Sequence, residues 1–428
     1  MRINVENIGC FKNLVDCEKL IHQFDRLGIS THFGSCIEPV DIAIINTCGF
    51  TGDADSESRM LIEKYIEYKH NGLVGEIWVM GCYSQKRGLA LKKEYSEVDR
   101  IYGNFDWHNI VRDLGGSFSE DGNRFLTTPR HYAYIKISEG CNMPCSYCIK
   151  PQLNGPLKSV PMDEIIRECR LLVNRGVREF QLVAQNLTSY GEDIYGEKRI
   201  AELIARISDI AGVDWIRLHY AYPTGFPKNL LDVMNERGNV CKYLDMAIQH
   251  CSTKMLRIMR RGMTKESLTD LLSEIRNRVP GIYLRTTVMT GHPGETESDY
   301  QELKEFVIRQ KFERLGVFPY SHQEGSYCHI YYSDDIPEKV KRNRALELMA
   351  LQNKIYREQN DALAGTIERV IIDSCDSSDT YIGRSEHSTP MADPKVIVRS
   401  PSALRAGSFY MVRYAESAGR DIYGDVSY

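Results

Sequence analysis

The sequence predicts an α/β chain in three parts: an N-terminal parallel α/β sheet, a central partial (β/α)6 barrel, and a small OB-like antiparallel β-barrel at the C-terminus. Three observations predict it. Apolar runs of strand length alternate with helix-length stretches in two successive blocks, and such alternation means parallel strands. A turn-rich break, Gly115-Gly116-Ser117 and Asp121-Gly122-Asn123, separates the blocks. Beyond residue 361 the alternation gives way to short strands divided by Ser, Asp, Gly and Pro.

In the first block, 1–125, the strands expected are Ile3–Asn7, Asp41–Asn46 and Glu76–Met80, with helices over Asn13–Leu27 and Ser56–His70. The second block, 130–335, offers strands at Tyr134–Ile137, Glu179–Gln185, Trp215–Tyr222, Tyr243–Gln249, Tyr283–Thr290 and Arg314–Tyr320. Helix-like stretches such as Met162–Arg175 and Glu297–Gln310 intervene. Six such units are fewer than the eight of a closed barrel, and chemistry belongs at the C-terminal ends of the strands. A charged helix, 336–361, links onward, and its basic run Lys339, Lys341, Arg342, Arg344 reads as a solvated face. The last block, 362–428, carries four strand-like runs, ERVIID, TYIGRSE, KVIVRS and SFYMVRYA.

A chain of 428 residues with 42% apolar and 26% charged residues can bury a core in each part. The net charge of −4 provides no global basic field for nucleic acid. The N-terminal MRINVENIGC has no signal-peptide pattern, and no apolar run approaches a membrane span, so a cytoplasmic protein without membrane contact is expected. Thirteen cysteines scattered along so long a chain point to a reducing compartment with metal or redox work.

The sharpest motif is Cys141-Asn-Met-Pro-Cys145-Ser-Tyr-Cys148, directly after the first barrel strand. Three thiolates on one tight loop can ligate three irons of a 4Fe–4S cluster and leave the fourth open to a small chelating molecule. S-adenosylmethionine offers the needed amine and carboxylate, and Tyr147 an aromatic face for its adenine. A structural zinc site would need a fourth ligand, and none lies at normal spacing. Cys10, Cys48 and Cys82 match no local motif, yet each follows a predicted strand of the first block. Parallel neighbours would bring the three thiols to one sheet edge, with Gly9, Gly49 and Gly81 letting the backbone approach a bulky ligand. A second cluster is expected there. Of the other cysteines, Cys17 and Cys169 fall in helical patterns and read as core, and Cys251 reads as core rather than site.

With these residues in hand, the chain resembles the radical S-adenosylmethionine methylthiotransferases, and within them the RimO family, over essentially its whole length. NTCGF and GCYSQ around Cys48 and Cys82, and the 141–148 loop, carry the resemblance. So do LVAQNLTSYGED (182–193), WIRLHYAYP (215–223), YLDMAIQHCS (243–252) and RTTVMTGHPGET (285–296). Tyr220-Ala221-Tyr222-Pro223 stands where the sister tRNA enzymes of the MiaB type carry a serine- and histidine-containing motif. The chain departs from the usual pattern at Met143-Pro144, Lys150, Val160, Asn186 and 389–393.

The resemblance implies a TRAM domain at the C-terminus, two 4Fe–4S clusters, and S-adenosylmethionine contacts at Tyr147, Gln185, Gly291 and Glu295. It implies methylthiolation at the β-carbon of an aspartate in the twelfth protein of the small ribosomal subunit. A 5′-deoxyadenosyl radical would abstract hydrogen there, the second cluster would supply methylated sulfur, and a flavodoxin or ferredoxin would deliver electrons. A tRNA adenosine methylthiotransferase of the MiaB type is the alternative. From residue 362 on there are nine acidic and seven basic residues, a balance that makes tRNA an unlikely substrate for this module.

Overall fold

The structure is a computed structural model describing residues 1–36 and 38–427. Its first sheet has five parallel strands in the order Ser30–Phe33, Arg2–Asn7, Val40–Thr47, Val74–Gly81 and Arg100–Ile101. The three central strands are the predicted ones. The two outer strands escape the sequence because STHF alternates without a continuous apolar run and RI is only two residues long. Helix Phe11–Arg26 buries Cys17, Leu20, Ile21 and Phe24 in the core of this domain at helical spacing. Its first turn instead packs Phe11, Leu14 and Val15 against Tyr132, Tyr134 and Val183 of the next domain. One helix therefore sits between two cores, with the Phe11 and Tyr134 rings stacked at 4.3 Å.

Six parallel strands form the central sheet in chain order, from Tyr132–Lys136 at one edge through Glu179–Val183, Trp215–Ala221, Val240–Met246 and Tyr283–Thr290 to Arg314–Pro319 at the other. It is the expected partial barrel. Cys169 and Cys251 lie in its apolar core, as expected of them. Helix Glu338–Asp361 runs back against the last strand. Its basic run is a solvated face only in part: Lys339 and Arg342 are exposed, whereas Lys341 and Arg344 are buried, Lys341 against Asp334 at 2.6 Å and Arg344 against Glu295 at 2.6 Å. Local sequence hides this for Arg344, whose carboxylate lies 49 residues away, while Asp334 precedes Lys341 by only 7.

The C-terminal module is a closed barrel of five strands, Ile367–Cys375, Thr380–Ser385, Val396–Arg399, Phe409–Ala418 and Asp421–Val426. The fifth was not predicted, since DIYGDV has a central glycine and few apolar residues. Pairing is antiparallel except between Val396–Arg399 and Asp421–Val426. The exception is forced, because a ring with an odd number of strands cannot alternate direction all the way round.

This barrel is joined to the central sheet by buried charge. Arg217 on the third central strand and Arg384 on the second strand of the small barrel both hold Glu179, which is fully buried. Asp393 accepts from Tyr243 at 2.6 Å and from Arg285 at 2.8 Å. The small module thus supplies polar partners to the inward-facing residues at the N-terminal half of the central strands.

Candidate functional site

The 141–148 loop leaves the first central strand through Gly140, whose φ of 65° and contact with the Pro156 carbonyl exclude a side chain. A short ribbon, Ser138–Glu139 with Lys158–Ser159, closes its base, and the Cys141 N–H donates to the Gly155 carbonyl at 3.2 Å. The Ser146 N–H donates to Met259 at 3.1 Å, and the Cys328 N–H donates to Ser146 at 2.7 Å, so the loop is tied to two other segments. Its sulfurs meet donors suited to thiolate charge: the N–H of Met143 to Cys141 at 3.4 Å, the N–H of Lys150 to Cys148 at 3.4 Å, and the Arg261 guanidinium to Cys145 at 3.5 Å. Burial nevertheless pushes the Cys148 thiol up to about 11, with Lys150 opposing it.

In the first domain the register sets Asn7 beside Asn46 and Thr47 beside Gly81, so the C-terminal ends of three neighbouring strands are level. Cys10, Cys48 and Cys82 follow these ends and line one cavity of about 110 Å³. Burial raises the Cys82 thiol to about 12, helped by the charges of Cys10 and Cys48 beside it. Desolvation by its surroundings acts on Cys10 in the same sense although the residue is exposed, but Lys12, the Asn13 backbone and Lys150 outweigh it and hold this thiol below its ordinary value. Cys10 also stands at the N-cap position of helix Phe11–Arg26, without a side-chain capping bond, and a helix N-terminus favours a thiolate. The nearby glycines do not make room for a ligand. A side chain on Gly81, at φ 101°, would strike Asn46 and Thr47, one on Gly49 would meet the Tyr83 backbone at 2.7 Å, and one on Gly9 would overlap Asn13. They admit the neighbouring chain.

Among the described residues no three His, Cys, Asp or Glu side chains are placed to hold a single metal ion. A cluster makes a different demand, since each thiolate binds its own iron and the sulfurs stand apart. Both triads offer the residue type it needs, three cysteines each, and the 141–148 loop adds donors to sulfur from Met143, Lys150 and Arg261.

The cavity is walled by both domains, with Lys12, Asn13, Phe50 and Phe105 on one side and Glu139, Lys150, Gln185 and Tyr220 on the other. Gln185, expected as a cofactor contact, lines this cavity; its Nε2 donates to Glu139 at 3.3 Å and its Oε1 is buried without a partner among the described residues. Tyr147 is buried beneath the loop, its hydroxyl receiving Arg261 at 3.3 Å. Gly291 and Glu295 are brought together, the Gly291 N–H donating to Glu295 at 2.6 Å, but Glu295 also holds Arg344 and faces the linking helix. Sequence reasoning missed Arg261 and Tyr222. The Tyr222 hydroxyl lies 3.4 Å from the Cys145 sulfur, and the Arg261 guanidinium stands 4.0 Å above the Tyr222 ring. Nothing local signals either residue, because strand order alone brings them to the loop.

Two thiol triads, one on a partial parallel barrel and one on a separate α/β sheet, are the marks of a radical S-adenosylmethionine enzyme with an added α/β domain. Family models agree in chain order: the Radical SAM superfamily over residues 135–307, the family UPF0004 over 2–103, and the TRAM domain over 364–426. Curated relatives align end to end. The ribosomal protein uS12 methylthiotransferase RimO of Porphyromonas gingivalis is 51% identical over 429 residues, 99% of each chain. Those of Parabacteroides distasonis and Bacteroides thetaiotaomicron are 48% and 47% identical, with at least 98% of each chain covered. The chain belongs to the RimO family of radical S-adenosylmethionine methylthiotransferases. Among solved structures, the radical S-adenosylmethionine methyltransferase TsrM of Kitasatospora setae superposes with a TM-score of 0.53 at 13% identity, covering 74% of each chain. The cobalamin-dependent enzyme OxsB gives 0.51 at 13% identity, covering 81% of this chain and 56% of its own. These two likenesses speak to the fold alone.

Proposed function

We propose that the chain attaches a methylthio group to the β-carbon of an aspartate in ribosomal protein uS12, using a 4Fe–4S cluster on each triad. One observation carries this reading: Lys150, two residues beyond Cys148, lines the Cys10, Cys48 and Cys82 cavity from the barrel side, so the two triads are neighbours. When bound, the two clusters and S-adenosylmethionine supply hydrogen abstraction and sulfur, chemistry that acid–base groups could not perform on an unactivated C–H bond. The chain's own residues hold and shield. Cys141, Cys145 and Cys148 ligate one cluster, with Arg261 and Tyr222 at the Cys145 sulfur. Gln185, with its unpartnered carbonyl oxygen, is the best placed of the proposed S-adenosylmethionine contacts. Tyr147 backs the loop from below, and Gly291 and Glu295 shape the strand end opposite.

A protein substrate fits the C-terminal module better than tRNA does. Of its seven basic residues, Arg384 is buried on Glu179, and Arg369 and Arg399 pair with Asp214 and Asp425, which leaves Lys395, Arg405, Arg413 and Arg420 against nine acidic residues to meet phosphate. The proposed setting is the cytoplasm, with a flavodoxin or ferredoxin as electron donor. No helix among the described residues is long and apolar enough to cross a membrane. Anaerobic turnover with uS12 and with tRNA, followed by mass spectrometry of each, tests the reading. Modified tRNA with unmodified uS12 would refute it.

A further inference from the structure

Burying a charge is costly unless a partner offsets it, so a buried cation without one calls for an explanation. Most buried cations of this chain face a carboxylate, and Arg261 and Arg314, which do not, donate hydrogen bonds to the Tyr147 hydroxyl and the Glu313 carbonyl. Lys136 sits between Asp16 and Glu139, Arg124 faces Glu18, Lys341 meets Asp334, and Arg384 meets Glu179. Lys12 is the exception. It is only 6% exposed, yet among the described residues its ammonium makes no hydrogen bond and no ion pair. It lies in the first turn of helix Phe11–Arg26, two residues past Cys10, and lines the cavity between the domains.

What holds Lys12 there is an aromatic face. The Tyr220 ring centroid is 5.0 Å from its ammonium. Tyr220 adopts a φ of 64°, left-handed and costly for a residue with a side chain, at a point where the pairing of strand Trp215–Ala221 shifts register. That irregularity places the ring beside the ammonium in the cavity wall. A cation over a ring is oriented but keeps its hydrogens for another acceptor. The carboxylates lining the same cavity, Asp16 and Glu139, are both taken by Lys136. A second cation, Lys150, stands in the cavity wall with its ammonium 4.1 Å from the Phe50 ring centroid. The cavity thus offers two lysines, one from each domain, and no free carboxylate to answer them.

We propose that Lys12, oriented by Tyr220, binds the side-chain carboxylate of the substrate aspartate and so selects a carboxylate-bearing side chain at the reacting position. The inference rests on the uS12 reading above and deepens it. A bound carboxylate fixes the adjacent methylene, the carbon to be modified, between the two thiol triads. Lysine suits the task, since a compact ammonium with three donors can meet a carboxylate from several directions.

The competing explanation is that Lys12 balances the charge of the thiolates beside it, and the two separate cleanly. The full-length enzyme, loaded with iron and sulfide, is titrated without reductant against a fluorescent uS12 peptide bearing the target aspartate, and against the same peptide with asparagine. Wild type should bind the aspartate peptide at least about 10-fold more tightly. Lys12→Met should weaken the aspartate peptide about 10- to 100-fold, leave the asparagine peptide within about twofold, and retain full iron. Lys12→Arg should keep most of the preference, which guards against a folding artefact. An unchanged preference in Lys12→Met overturns the proposal, and so does loss of iron from that variant, which would make Lys12 a counter-charge. Wild type that binds neither peptide would overturn the uS12 reading and this inference with it.

Discussion

Replacing Arg384 with alanine should loosen the C-terminal barrel from the central sheet, and the size of the effect follows from its contacts. The guanidinium makes four charge-assisted bonds, to both oxygens of Glu179 at 2.9 and 2.7 Å and to both of Asp373 at 2.6 and 2.9 Å. Removing one partner of a buried pair costs about 3–5 kcal/mol, because the other charge is left desolvated. Here Glu179 keeps Arg217 at 3.1 Å and Asp373 keeps His131 at 2.8 Å, which places the loss at the lower end, about 3 kcal/mol. For a unit of this size that is roughly 6–12 °C in the melting temperature by calorimetry. Acid provides a second reading of the same node. Despite burial, Arg384 and His131 hold the Asp373 carboxyl down at about 2, from an ordinary 3.8. Its folded-state pKa is depressed, so its contribution of about 2 kcal/mol is present above pH 4 and is lost as the pH falls towards 2. Arg384→Ala should flatten that acid dependence. A shift below about 2 °C in the variant, with the acid limb unchanged, would refute the reasoning.

Three further outcomes are expected. Changing Cys141, Cys145 and Cys148 together to alanine should leave about half the iron, held by the first domain, by iron analysis and absorbance. Retention of all the iron, or loss of all of it, would contradict two independent sites. With Cys10, Cys48 and Cys82 changed to alanine, the enzyme should still cleave S-adenosylmethionine under reducing conditions yet attach no methylthio group, and methylthiolated product would exclude the second cluster from the mechanism. Deleting residues 362–428 should abolish S-adenosylmethionine cleavage along with transfer, because it strips Glu179, Tyr243 and Arg285 of buried partners inside the central sheet. Normal cleavage by a folded, truncated chain would show that those contacts are dispensable.

Much of this protein was legible in its sequence because the informative signals are local. The 141–148 loop packs three ligands into a single turn, and alternating apolar runs expose parallel strands whatever their neighbours. Even the convergence of Cys10, Cys48 and Cys82 was accessible, since parallel strands fed by crossover helices must end on the same edge. What only the tertiary structure decided depends on pairings between distant segments. The strand-end glycines turned out to make room for Asn13, Asn46, Thr47 and Tyr83. Arg344 turned inward onto Glu295, a carboxylate from a distant segment. The C-terminal barrel, an appendage by composition, proved to share the buried charges of the central sheet through Arg384 and Asp393. Lys12 shows the limit best. Two residues after Cys10 it is one more lysine of a helix, and only the packing of a second domain, with Tyr220 strained over it, leaves its charge buried and unanswered. Periodicity records which face of an element is apolar, whereas the partner of a buried charge is set by where other elements come to rest.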